Sequence, residues 1–171
     1  PQQITEFFPN FIIGNAASGL QFLKISSFSN QKLYEEVIED WEYMSIFHAT
    51  FSLGQGEVLK LPFIKDPIIK YKMSNKDLQI VKNGLEKLCK LLFDSGCEYV
   101  YPIVLNGKKL NNKNYLSFIE NIKDVKKINL SSVHILGGAP MGEGKSCVTD
   151  SYGKVKGYNK LYINDSSLIC T

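Results

Sequence analysis

The chain has 171 residues, a net charge of +3, and apolar and charged fractions of 44% and 22%. These values are ordinary for a globular protein, so they exclude a disordered or fibrous chain. The length is enough for one domain, or for one domain and a part of a second.

The lysines do not form the kind of basic surface that binds nucleic acid. The densest groups, Lys108-Lys109 and Lys123 to Lys127, have acidic or polar neighbours and no interleaved aromatic side chains. A nucleic-acid site would need a basic stripe, so we interpret these lysines as a solvated face. No apolar run reaches the ~20 residues of a membrane-spanning helix. The sequence therefore predicts neither a nucleic-acid partner nor a membrane span.

Four cysteines are present, and their spacing is unlike that of a metal site. None of Cys89, Cys97, Cys147 and Cys170 lies in a Cys-x-x-Cys pair or at metal-ligand spacing from a histidine. We therefore expect reduced thiols and no metal, which fits a cytoplasmic protein. The chain also begins without a Met or a basic signal-peptide region, as an internal fragment of a longer protein does.

The first elements in chain order are a strand and a short helix. The strand is predicted over Ile4 to Ile13. The helix is predicted over Gln31 to Trp41, because apolar residues recur there on one helical side. That side is formed by Leu33, Val37 and Trp41.

The next segment has the composition of extended chain. Tyr43 to Phe51 is rich in aromatic and β-branched residues, and Glu57 to Leu61 resumes an extended pattern. Between them Gly54-Gln55-Gly56 has the chemistry of a turn, so the two runs indicate a hairpin. Pro67 to Tyr71 is predicted to add a further strand.

Two helices are predicted after these strands. The clearer one spans Lys76 to Phe93, where apolar residues recur at three- and four-residue steps. Ser74 and Asp77 form a capping box at its start, and Gly96 stands at its end. The other spans Asn112 to Lys123, with an inward side of Leu116, Ile119 and Ile122. Strands followed by helices favour an α+β fold, in which helices cover one face of an antiparallel sheet.

The sequence changes character after about Ile128. Glycines become frequent, and short apolar runs alternate with turns. Val133 to Leu136 and Leu161 to Ile163 are candidates for short buried strands. Because the segment has little apolar surface of its own to bury, it is predicted to be part of a core whose remainder lies elsewhere.

One histidine in this tail stands just before a pair of glycines. Gly137 and Gly138 allow the backbone to turn sharply or to approach a bound group closely. The imidazole of His134 can face such a group, or it can be a structural histidine that is hydrogen-bonded beside the turn. The residues alone leave both interpretations open.

Two segments of the tail together resemble the C-terminal signature of the glucose–methanol–choline oxidoreductase family. The first is His134 followed by Gly137-Gly138 and Met141-Gly142. The second is Gly157 to Ser167, which has the form Gly-x-x-x-Leu-Tyr-x-x-Asp-x-Ser, and Cys147 to Asp150 lies between the two in the family's order. Upstream segments between residues 51 and 100 are similar to the family's substrate domain.

The resemblance implies an FAD-dependent oxidoreductase that acts on the CH–OH group of an alcohol, polyol, sugar or sterol. It makes His134 the general base that takes the hydroxyl proton while a hydride passes to flavin N5. It also assigns Asp165, Ser166, Gly137 and Gly138 to FAD binding. Asp-Ser-Ser is good helix-capping sequence as well, and the two roles of Asp165 are compatible. The resemblance does not identify the electron acceptor.

By the same resemblance, residues 1–127 are a portion of the substrate-binding domain and residues 128–171 are a part of the FAD-binding domain. No Gly-x-Gly-x-x-Gly fingerprint is present, and the second catalytic histidine or asparagine is expected beyond Thr171. Pro140 and Ser166 depart from the usual residues of the family, and the former leaves the substrate open. The isolated chain is therefore expected to be inactive and to expose apolar surface.

The sequence is also compatible with two other functions. In a non-catalytic α+β binding module His134 would be structural, and the isolated chain would fold cooperatively, which the core-poor tail disfavours. A metal-dependent hydrolase built on His134 and His48 lacks the spacing of metal ligands. His48 itself is interpreted as a packed histidine of the sheet.

Overall fold

The structure is a computed structural model, and it describes residues 3–16, 19–21, 24, 31–131 and 136–169. The chain divides into two compact units, Pro1–Asn129 and Leu130–Thr171. Antiparallel sheets and helices confirm the predicted α+β class. The assignment of residues 1–127 to a substrate-binding domain and of residues 128–171 to an FAD-binding domain stays a prediction.

A three-stranded antiparallel sheet forms the base of the first unit. Its strands are β1 (Gln3–Ile4), β2 (Phe11–Asn15) and β3 (Phe47–Phe51), in the order β1-β2-β3. Phe11 and Ile13 point to the same face because side chains alternate along a strand, and both are buried. The single strand predicted over residues 4 to 13 is wrong, because a turn separates β1 from β2.

Helix α1 (Gln31–Glu39) and the 3-10 turn Trp41–Tyr43 confirm the short helix that the sequence predicted. Leu33 and Val37 are both buried, and Trp41 packs against them. These contacts form a small cluster of their own, to which Tyr101 also contributes.

One predicted solvated lysine is engaged in contacts. Lys109 Nζ donates to Asp40 Oδ2 at 2.8 Å, and the Tyr101 hydroxyl donates to the same oxygen. The ammonium also lies 4.2 Å from the centre of the Tyr99 ring. These contacts raise the pKa of Lys109 and lower that of Asp40, chiefly through their mutual hydrogen bond. The side chain of Lys109 stays 38% exposed, so it lies on a solvated face as predicted and pairs there with Asp40.

Helix α2 (Asn75–Asp94) lies across the three-stranded sheet and confirms the clearest prediction. The Asp77 backbone N–H donates to Ser74 Oγ at 3.2 Å, and the Ser74 backbone N–H donates to Asp77 Oδ2 at 2.7 Å, which is the expected capping box. At the other end Gly96 has φ +94. The Cys97 N–H donates to the Leu92 carbonyl at 3.0 Å, which completes a Schellman motif.

The predicted hairpin of residues 43–51 and 57–61 is wrong. β3 pairs with β2, whereas β4 (Gln55–Leu59) pairs with β5 (Ile68–Lys72) in a separate two-stranded sheet. The partner of β3 is set by nonlocal packing, since Phe51 lies beside Phe11 with ring centroids 5.8 Å apart. The strand predicted at residues 67–71 is confirmed as β5.

Helix α3 (Tyr115–Glu120) is shorter than the predicted helix of residues 112–123. Ile119 and Ile122 are buried as expected, but Leu116 is exposed, so its inward assignment is wrong. Tyr115 occupies the inward position instead and stacks at a tilt on Phe93, with ring centroids 5.2 Å apart.

The second unit is held by loop hydrogen bonds and isolated bridges. The bridges pair Thr149 with Met141 and Val155, and Lys154 with Tyr162. The predicted buried strand over residues 161–163 is wrong: Leu161 and Tyr162 are exposed, and Tyr162 forms only an isolated bridge, with Lys154. Of the other predicted strand only Leu136 lies within the described residues.

Candidate functional site

Two segments that the sequence assigned to cofactor binding lie side by side in the second unit. The Ala139 N–H donates to the Ser167 carbonyl at 3.0 Å, and the Met141 N–H donates to the Leu168 carbonyl at 3.1 Å. Residues 137–141 are thereby aligned with residues 165–168. Four of the five predicted site residues belong to these two segments.

The two glycines of the site differ in why a side chain would or would not be tolerated there. Gly137 has φ +72, a left-handed conformation that other residues adopt only with strain. Gly138 is exposed, and a Cβ added there would lie 3.6 Å from the Ser167 Cβ, an ordinary contact. The described packing therefore leaves room for a methyl group at Gly138. If this position requires glycine, the reason would be a bound group that lies close to the backbone.

Asp165 caps a short 3-10 turn, Ser166–Leu168. Its Oδ1 accepts a hydrogen bond from the Ser167 N–H at 2.8 Å and another from the Ser167 hydroxyl. The Ser167 hydroxyl, and then its backbone N–H, hold the pKa of Asp165 below its usual value. The carboxylate is thus ionised and fixed in place, and both it and Ser166 are exposed to solvent.

His134, the predicted catalytic residue, lies outside the described residues. Its described neighbours on the two sides, Ser131 and Leu136, are exposed. The other histidine, His48, is half-buried in β3 opposite Gly14. A Cβ added at Gly14 would lie 3.1 Å from His48 Cε1 and 3.2 Å from Nε2, so the ring packs onto the glycine as a sheet histidine does.

A set of polar contacts that the sequence did not reveal closes the loop after Met141. Glu143 Oε1 accepts from the Ser151 hydroxyl at 2.8 Å and from its N–H at 3.1 Å, which lowers the pKa of Glu143. Lys156 Nζ donates to the Gly144 carbonyl at 2.7 Å. No motif pairs these residues in sequence, so only the fold identifies them.

Asp150 and Thr149 are two polar residues of the second unit, one hydrogen-bonded within a turn and the other buried. Asp150 Oδ1 accepts from the N–H groups of Tyr152 and Lys154 at 2.9 and 3.0 Å, which gives it a structural role in this turn. Thr149 is fully buried, and its hydroxyl finds no hydrogen-bond partner among the residues that the structure describes.

The described residues contain no cluster of three or more His, Cys, Asp or Glu side chains that could hold a metal ion. Within the same residues Cys89, Cys97 and Cys147 are free thiols. No helix in the described part of the chain combines the length and apolarity needed to cross a membrane.

Comparison with known proteins places these segments in context. The profile of the GMC oxidoreductase family matches residues 62–171. An uncharacterized GMC-type oxidoreductase of Sinorhizobium fredii, y4nJ, is 25% identical over 169 residues, which is 97% of this chain and 34% of that protein. The chain thus spans about a third of the length of this curated relative. No solved structure matches the chain.

Proposed function

Because the chain belongs to the GMC oxidoreductase family, we propose that it is part of an FAD-dependent oxidoreductase acting on the CH–OH group of an alcohol, polyol, sugar or sterol. The observation that carries this proposal is the pairing of residues 137–141 with residues 165–168. Two segments that are nearly thirty residues apart in sequence, and that were assigned to one cofactor by their motifs, lie next to each other.

The paired segments have properties that fit a dinucleotide. Gly138 and Ser166 are small and exposed, so a flat or chain-like group can approach the backbone there. The ionised Asp165 carboxylate suits the hydroxyl groups of the ribityl chain, which can donate to it, better than it suits the pyrophosphate. Gly137, Gly138, Asp165 and Ser166 are therefore proposed to hold FAD at its ribityl region.

We propose that His134 accepts the proton of the substrate hydroxyl group. FAD, when bound, supplies the hydride acceptor that no side chain can provide. Loss of a hydride from a CH–OH carbon is easier when the hydroxyl proton leaves to a base, and an imidazole has a pKa near neutrality. His134 is proposed to take this proton, a contribution worth about 10²–10⁴ in rate.

Exposed apolar side chains support the proposal that the second unit is one part of a domain and that further chain completes it. The second unit exposes Met141, Tyr152, Tyr158, Leu161 and Tyr162. Apolar groups scattered singly are normal, but so many in a unit of 42 residues indicate a surface that is covered in the working protein. We propose that residues 128–171 complete an FAD-binding domain and that residues 1–127 belong to the substrate-binding domain.

The test compares two histidines in the intact protein. Purified protein is expected to carry flavin absorption, and the flavin is expected to bleach when an alcohol substrate is added without an acceptor. His134→Ala is expected to slow this bleaching by about 10²–10⁴ while flavin stays bound. His48→Ala, the matched control, is expected to leave the rate within a few-fold of the parent.

Two results would overturn the proposal. If His134→Ala bleached its flavin at the rate of the parent protein, the histidine would have no role as a base. A colourless intact protein that takes up no added FAD would instead favour the non-catalytic α+β module, in which His134 is structural.

A further inference from the structure

The hairpin of β4 and β5 has one apolar face that the described residues leave open. In its register Val58 stands opposite Ile69, and Gly56 stands opposite Tyr71. Cross-strand partners share a face, so Val58, Ile69 and Tyr71 lie together. The first two are 66% and 68% exposed. A two-stranded hairpin is marginally stable by itself, so we expect this open apolar face to be covered in the working protein.

The opposite face of the hairpin carries charge. Glu57 stands opposite Lys70, and Gln55 stands opposite Lys72. Over residues 55–72 the sequence has four lysines against two acidic residues. The hairpin therefore has one apolar face and one mixed face, on which Leu59 and Ile68 accompany the charged pair, and its sequence carries an excess of lysine.

The turn of the hairpin projects an aromatic ring into solvent. Phe63 is fully exposed and has φ +68, in the left-handed region that bulky residues avoid. Leu61 and Ile64 beside it are also exposed, and Lys60 Nζ donates to the Lys65 carbonyl across the turn. The left-handed backbone at Phe63 costs conformational energy. Packing of the ring does not offset this cost within the described residues, because the ring is exposed.

We propose that this hairpin turn docks on an anionic lipid surface, with Phe63, Leu61 and Ile64 entering the interface and the flanking lysines facing the lipid headgroups. Aromatic and aliphatic side chains next to lysines have the composition of segments that lie in the membrane interface. The alkyl stems of lysines reach along apolar surface while their ammonium groups stay at the headgroups. The positive charge complements the negative potential of an anionic leaflet.

A second copy of the chain fits this surface less well. Antiparallel pairing of two β5 strands about their centre would place Lys70 opposite its own counterpart, and the same pairing of two β4 strands would place Glu57 opposite Glu57. Like charges directly across a ladder are destabilising. A fluid lipid surface imposes no such register.

The experiment is co-sedimentation of the intact protein with vesicles. Vesicles that contain phosphatidylglycerol are compared with vesicles of phosphatidylcholine alone, at low and at high salt. The protein is expected to sediment with the former at low salt and to be released as salt screens the charges. Phe63→Ser is expected to weaken binding about tenfold, and Lys65→Gln about fivefold. Tyr43→Ser, which removes another exposed aromatic ring of the same unit, is expected to leave binding unchanged.

Circular dichroism and the thermal transition are expected to be the same for all three variants, because each altered side chain is exposed. Failure to sediment with anionic vesicles would overturn the proposal, and so would equal binding to neutral ones or full binding by Phe63→Ser. A change of oligomeric state in Phe63→Ser without vesicle binding would assign the turn to a protein contact and overturn it as well. The oxidoreductase proposal is unaffected by any of these outcomes, because flavin bleaching is measured without lipid.

Discussion

The backbone N–H of Ala139 donates to the backbone carbonyl of Ser167 at 3.0 Å, and this bond helps to join the two segments that the sequence assigned to the same cofactor. Ala139 is buried, whereas Gly138 before it is exposed. The bond therefore lies at the boundary between the packed interior of the second unit and the open surface at Gly138. A substitution on the open side can test cofactor binding without disturbing the packed side.

Gly138→Ala is expected to weaken FAD retention while leaving the fold intact. The new methyl group would meet Ser167 Cβ at 3.6 Å, which is ordinary contact, but it would occupy the surface proposed for the cofactor. The measurement is the flavin content of the purified protein together with its thermal transition.

Gly153→Ala is the matched comparison for this prediction. Gly153 has φ +79, and an added Cβ would lie 2.8 Å from the Ile163 carbonyl oxygen. This variant is expected to destabilise the second unit by about 1–3 kcal/mol. If Gly138→Ala retained flavin as the parent does, the placement of the cofactor beside Gly138 would be wrong.

Gly84→Ala is expected to destabilise the protein even though Gly84 lies inside helix α2. In an open helix this exchange stabilises by about 1 kcal/mol. Here an added Cβ would lie 2.5 Å from Phe51 Cε1, and the ring is itself packed against Phe11. Overpacking of this kind costs about 1–3 kcal/mol, so the expected net change in the free energy of unfolding is negative. Urea denaturation measures it, and Phe51→Leu combined with Gly84→Ala is expected to restore most of the loss.

The same contact shows why part of the fold was predictable from sequence and part was not. Helix α2 was predicted closely because its signals are local: the apolar period, the Ser74–Asp77 box and Gly96 all lie within or beside the helix. The partner of β3 could not be predicted, because Phe51 contacts Phe11 and Gly84, which are distant in sequence and meet it only in the folded chain.

The candidate site divides in the same way. Gly137, Gly138, Asp165 and Ser166 could be predicted as cofactor-binding residues because two family-like motifs name them. The Glu143–Ser151 contact, by contrast, follows from how the loop closes and has no signature along the chain. Helix α3 shows the limit of periodicity: Leu116 fits the apolar spacing, yet Tyr115 is buried in its place because Phe93 offers it a ring to pack on.

Thr149→Val is expected to stabilise the protein by about 1 kcal/mol. The Thr149 hydroxyl is buried without a hydrogen-bond partner among the described residues, and such a group costs about 1–3 kcal/mol in desolvation. Valine keeps the shape and removes that cost. The midpoint of urea unfolding is the measurement, with Thr50→Val at an exposed position of β3 as a control that should change little. A loss of stability in Thr149→Val would show that the hydroxyl is satisfied in solution.

Cys89 and Cys97 are expected to differ sharply in reactivity. Burial raises the pKa of the Cys89 thiol to about 11, whereas Cys97 is exposed. Since the thiolate is the reactive form, iodoacetamide near neutral pH should modify Cys97 in the native protein and reach Cys89 only after unfolding. Mass spectrometry of the tryptic peptides distinguishes the two sites.

The same burial makes stability depend on alkaline pH. Between the usual thiol pKa of 9.0 and about 11, the folded protein keeps a proton on Cys89 that the unfolded chain has lost. The folded state therefore binds more protons, and the free energy of unfolding must fall as the pH rises through this window, by up to about 2–3 kcal/mol. Below the lower value the thiol is protonated in both states and contributes no slope.

Other groups also titrate in that window. The prediction therefore concerns the difference between two proteins in how steeply the free energy of unfolding falls with pH. Cys89→Ala lacks the thiol, and its free energy of unfolding should fall less steeply between these pH values than that of the parent. The cavity that alanine leaves lowers stability at every pH, but it leaves the slope unaltered. Parallel curves for the two proteins would mean that the thiolate of Cys89 reaches water without unfolding, and the burial assigned to this side chain would then be wrong.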